Sequence, residues 1–190
     1  MGKKPELLKI EDKKCDLFIS RECLEEHEGL SGSSVLRDWK EDEMKRFFIQ
    51  EFIINPRYKI MLSNPLQREL IDLNSRKFGL GKRSAILDAH GKSVHKKWHY
   101  CDGRNSRAVQ EWVDENDGRY ACLLLSCCNP GRHKINSRRS AVIAAADTYA
   151  PLLQESGDAN TELFIPEIGY VTDYVLEDEI RRMKKMLRGR

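Results

Sequence analysis

No apolar run in this 190-residue chain approaches the ~20 residues that a membrane-spanning helix needs. Nor does an apolar stretch follow the charged start Met1-Gly2-Lys3-Lys4-Pro5-Glu6, so no secretion signal is expected and a cytoplasmic location is. Charge of one sign is also missing. The 33 Lys and Arg against 30 Asp and Glu leave a net charge of +3, with basic residues spread through the chain and concentrated at Arg132–Arg139 and in the tail Arg181–Arg190. A nucleic-acid binder carries a stronger and more localised excess, so nucleic acid is not the expected partner. There is no internal repeat.

Metal and nucleotide motifs are absent in the same way. His95, His99, Cys101, Cys128 and His133 are of zinc-ligand type, but His95-x3-His99 has no matching second pair. Gly79-Leu80-Gly81-Lys82-Arg83-Ser84 precedes a strand rather than following one, so it reads as a turn and not as a phosphate loop. No metal and no cofactor are expected. Six cysteines, Cys15, Cys23, Cys101, Cys122, Cys127 and Cys128, are read as reduced thiols, because a chain of this size does not need disulfide staples.

What is present is a globular composition, 40% apolar and 33% charged, in a length suited to one domain. Residues 1–14 read as a flexible basic arm and residues 15–190 as a single α/β domain. Strands are expected at Cys15–Ser20, Tyr58–Ser63, Ser84–Ala89, Tyr120–Cys127 and Ser140–Ala146. Helices are expected over Asp38–Ile54, from Pro65 behind an Asn64 cap to Gly79, over Ser106–Glu115, and from about Asp173 onward. Residues 29–34 and 155–160 read as loops, Lys92–Tyr100 as a hairpin arm turning at Asp102-Gly103, and Glu162–Val171 as strand and turn around Pro166. The alternation of strands and helices predicts a three-layer α/β/α sandwich with a mainly parallel sheet.

Two of these strands end alike. Ser84-Ala-Ile-Leu-Asp-Ala-His90-Gly91 and Ala121-Cys-Leu-Leu-Leu-Ser-Cys127-Cys128-Asn-Pro-Gly131 each run from an apolar stretch into a reactive side chain followed closely by glycine. The carboxyl ends of parallel strands share one sheet edge, where ligands bind. Parallel neighbours would therefore bring an imidazole and a thiol to that edge, the pair needed for nucleophilic attack on a carbonyl. Gly91 admits close backbone approach, and its N–H with that of Cys128 supplies candidate oxyanion donors. Cys127 is expected in the core. Arg132, His133, Lys134, Arg138 and Arg139 follow the thiol and suit an acidic group, whereas Asp88 and Asp147 suit a basic one, so substrate-binding residues remain unassigned.

An apolar strand ending in His-Gly, followed by one ending in a small residue, Cys and a glycine three positions later, resembles the caspase-like (clan CD) cysteine peptidases. That group includes caspases, metacaspases, clostripain-like enzymes and CHAT domains. The resemblance spans residues 57–147 and aligns His90-Gly91 with the first motif and Cys128-Asn-Pro-Gly131 with the second. Cys127 stands where the group has a small residue, and Pro130 where Ser, Gly or Thr is commoner. The resemblance implies a caspase-like fold, His90 and Cys128 as the catalytic dyad, Gly91 and Cys128 as the oxyanion hole, and a peptide or protein substrate. The same fold without a working dyad would serve as an interaction module in a larger assembly.

Overall fold

The computed structural model describes residues 7–11, 15–23, 64–128, 134–145 and 161–189. In chain order these form β1 (Leu7–Glu11), β2 (Cys15–Ser20), α1 (Pro65–Phe78), β3 (Ser84–Val94), β4 (Lys97–Asp102), β5 (Asn105–Ala108), α2 (Val109–Asn116), β6 (Cys122–Cys127), β7 (Ala141–Ala145), β8 (Thr161–Ile165), β9 (Gly169–Val171) and α3 (Leu176–Arg188). The helix expected at 38–54, the strand at Tyr58–Ser63 and the loops at 29–34 and 155–160 lie outside the described residues.

Local chemistry sets the element ends. The Asn64 side chain accepts from the N–H groups of Leu66 at 3.0 Å and Gln67 at 3.4 Å, capping α1 ahead of Pro65. Gly79 closes the helix in the left-handed conformation at φ 64°, and the Leu80 N–H reaches back to the Ser75 carbonyl at 2.9 Å.

The nine strands form one mixed sheet, ordered β1-β2-β3-β6-β7-β8-β9, with β4 and β5 folded out from β3. The parallel expectation holds for the four central strands: β2-β3, β3-β6 and β6-β7 are parallel. The remaining pairings are antiparallel. For β3-β4 and β8-β9 the physical reason is connection length. Residues 95–96 and 166–168 are turns too short to carry the chain back for a parallel neighbour. Within the expected 1–14 arm, Leu7–Glu11 is strand β1, paired along its length with β2. β3 runs on to Val94 instead of stopping at Ala89, and residues 105–108 are strand, so α2 begins at Val109 rather than Ser106.

Period-two alternation sends the strand side chains to opposite faces. Ile86, Leu124 and Ile143 pack with Leu70 and Leu73 of α1 and with Ile180 and Met183 of α3. Leu87, Leu125 and Val142 pack on the other side with Val109, Trp112 and Val113 of α2 and with Trp98 and Tyr100 of β4. The described helices thus cover both faces of the parallel centre. That double burial explains why β6 reads as an unbroken apolar run. None of the described helices is long and apolar enough to cross a membrane.

Candidate active site

β3 and β6 are parallel neighbours, paired from Ser84↔Cys122 to Ala89↔Cys127. His90 and Cys128 each lie one residue beyond the last of these pairs, at the carboxyl edge. Both are partly exposed. From His90 onward β3 exchanges partners: His90 now faces Cys101 of β4, and Gly91 faces Tyr100.

Gly91 is where the two strand ends meet. A Cβ built on it would overlap the Cys128 carbonyl oxygen and lie 2.7 Å from the Cys128 carbonyl carbon and 2.8 Å from its amide nitrogen. Glycine is therefore required here by close backbone approach and not by an unusual dihedral. The buried Trp98 donates its indole N–H to the same Cys128 carbonyl at 2.9 Å. The backbone of Cys128 is held between Gly91 and Trp98, directly after the strand ends.

The two adjacent thiols have different environments. Cys127 is 1% exposed and its sulfur sits 3.9 Å from the Leu87 carbonyl. Burial, reinforced by the nearby Asp88 carboxylate, pushes this thiol well above the ordinary range. Cys127 is a core residue, as expected. Burial also pushes Cys122 up to about 12 and raises Cys101. Of the cysteines whose burial is described, Cys128 alone is partly exposed.

A polar pair underlies the site. Ser126 donates to the Asp88 carboxylate at 3.3 Å, and both residues are buried. Asp88 and His90 share one face of β3 by alternation, and Ser126 stands opposite Asp88 in the register. The spacings Asp88-x-His90 and Ser126-x-Cys128 carry that signal in the sequence, but sequence reasoning had given Ser126 no part in the site. Trp98 was also missed, since its contact depends on the β3-β4 hairpin folding back over Gly91.

Of the zinc-type residues, His95 is in the hairpin turn, His99 and Cys101 are on β4, and His133 lies outside the described residues. No grouping of three or more metal-ligating side chains occurs among the described residues. The basic segment after Cys128 does not act as one unit. Lys134 and Arg138 line a groove, while Arg139 holds the Asn74 amide through its backbone carbonyl at 2.7 Å. Arg132 and Asp147 are outside the described residues.

Comparison of the chain with protein-family models, with curated proteins and with solved structures gave no match. The site therefore rests on its own geometry. That geometry is an imidazole-bearing and a thiol-bearing residue at adjacent parallel strand ends, with two backbone N–H groups beside them.

Proposed function

We propose that the chain is a cysteine endopeptidase with a caspase-like three-layer α/β/α domain. In this reading the Cys128 thiolate attacks the scissile carbonyl carbon, forming a C–S bond, while His90 holds the displaced thiol proton. The tetrahedral oxyanion is received by the N–H groups of Gly91 and Cys128. His90 then gives its proton to the leaving amine as the C–N bond breaks. Water, deprotonated by His90, hydrolyses the thioester and restores the thiol.

The observation that carries this reading is the Gly91–Cys128 backbone contact at the paired ends of β3 and β6. It brings the Gly91 and Cys128 backbones into contact, which supports assigning both to one pocket. Helices on both faces of the parallel strands support the architecture.

Cys101 is the competing thiol, because it stands directly opposite His90 on β4. Its burial and raised pKa argue against it as a nucleophile. The test is labelling with a thiol-reactive peptide electrophile, together with cleavage of a mixed peptide library. Cys128→Ala and His90→Ala should each abolish cleavage, with label lost from the first. Cys127→Ala and Cys101→Ala should retain at least half of the cleavage. Loss confined to the Cys127 or Cys101 variant would overturn the assignment. So would a Cys128 alkylation profile centred at the free-thiol pKa of about 8.5.

A further inference from the structure

A groove of about 710 Å³ runs between the β3-β4 turn, the start of α2 and residues 134–138. Its volume is that of a ligand cleft (~300–1,000 Å³). Four cations line it, Lys96, Lys97, Lys134 and Arg138, all exposed. None of the four side chains has an ion pair among the described residues.

The groove's two acids are already engaged. Glu111 accepts from Arg107 Nε at 2.7 Å, and Asp114 accepts from the Gln110 amide at 2.8 Å. Gln110 is neutral, so the two acids offset part of the charge, and four cations against two acids leave the described lining net positive. The wall is also fixed in place. The Asn136 backbone exchanges two hydrogen bonds with the Gln110 amide, at 2.8 and 3.0 Å, and the Ile135 N–H donates to the Tyr170 hydroxyl at 2.6 Å. Ser137 to Ser140 are pinned by the Asp117 carboxylate. A fixed backbone wall confines the ordering cost of binding to the cationic side chains themselves.

We propose that this groove binds an acidic polypeptide segment, whose carboxylates pair with Lys96, Lys97, Lys134 and Arg138. Polypeptide is favoured over single-stranded nucleic acid by the lack of an open aromatic face. Single-stranded nucleic acid adds base stacking on aromatic side chains to its charge contacts. Among the described residues that line the groove the one aromatic is Trp98, which is 3% exposed and offers no open face for base stacking. The proposal goes beyond the peptidase reading, because an acidic segment docks here whether or not Cys128 is a nucleophile.

The experiment is fluorescence anisotropy of labelled oligoglutamate on the full chain at low salt, with oligolysine and oligothymidylate as comparison probes. Oligoglutamate should bind, oligolysine should not, and binding should weaken as salt screens the pairs. The double variant Lys96→Glu, Lys97→Glu should weaken oligoglutamate at least tenfold. Lys134→Glu with Arg138→Glu should do the same from the opposite wall. Lys185→Glu, an exposed position on α3, should leave affinity unchanged. Cys128→Ala should bind as the parent does, whatever its effect on cleavage. Failure of oligoglutamate to bind, or an equal loss in the Lys185 variant, would overturn the proposal. Tighter binding of oligothymidylate through the same lysines would overturn it in favour of nucleic acid.

Discussion

The Cys128 peptide unit occupies the space that a side chain at position 91 would fill. Gly91→Ala should therefore force apart two backbones, because the overlapping atoms cannot rotate away as a flexible side chain can. We expect a loss of about 1–3 kcal/mol, the range for overpacking a filled site, read from a lower denaturant midpoint. Cleavage should fall further than stability accounts for, since the displaced unit carries the proposed oxyanion donor. An alanine variant that is as stable and as active as the parent would remove the contact's significance.

Trp98 and Trp112 provide a matched pair of indoles. Both are 3% exposed, but Trp98 donates to the Cys128 carbonyl, whereas the Trp112 indole N–H has no hydrogen-bond partner among the described residues. Replacement by Phe removes similar volume at each site, yet only at position 98 does it remove a hydrogen bond. Trp98→Phe should lose about 1 kcal/mol more than Trp112→Phe, measured by urea unfolding. Only the first should alter the alkylation rate of Cys128.

Much of the parallel centre was legible because its signals are local. Asn64-Pro65 and Gly79 mark α1 through cap chemistry, and β6 is long and apolar enough to be a strand buried on both faces. The second half of β3 was harder to read. Lys92–Tyr100 reads as one hairpin arm, but the turn at His95-Lys96 splits it between β3 and β4, and neither residue is a usual turn former. Pairing partners are non-local, and the antiparallel edges β8-β9 and β4-β5 follow from turn length rather than from residue type. The site divides in the same way. His90, Gly91 and Cys128 announce themselves by spacing, whereas Trp98 reaches Cys128 only after the chain has folded back.

Asp117 links acid stability to the groove wall. Burial alone would raise its carboxyl, but bonds from the Ser140 N–H, the Ser137 hydroxyl and the N–H groups of Arg138 and Arg139 outweigh it and hold the carboxyl below its ordinary value. A depressed carboxyl stabilises the fold fully above the unfolded pKa of about 3.9 and loses that contribution as pH falls through the folded value. Asp117→Asn should cost about 1–3 kcal/mol at neutral pH, the range for hydrogen bonds to a charged group. The gap between parent and variant should close below about pH 4. A constant gap across an acid titration of stability would show that the carboxylate charge is not what pins the wall.

The β3-β4 turn holds two non-glycine residues in the left-handed region, His95 at φ 48° and Lys96 at φ 62°. Val94 pairs with Lys97, so the loop has only two residues, and both need positive φ to match the strand twist. Asn-Gly is the sequence that such a turn prefers. A left-handed conformation costs a side-chain-bearing residue about 1–2 kcal/mol, so His95→Asn and Lys96→Gly should each stabilise the protein by about 1 kcal/mol. The check is an increase in the urea midpoint with an unchanged slope. Lys96→Gly should at the same time weaken oligoglutamate binding, because it deletes a groove cation, whereas His95→Asn should leave binding intact. Stability and binding would then move in opposite directions at Lys96 alone. That separation would identify the strained turn as a means of holding Lys96 at the rim of the groove.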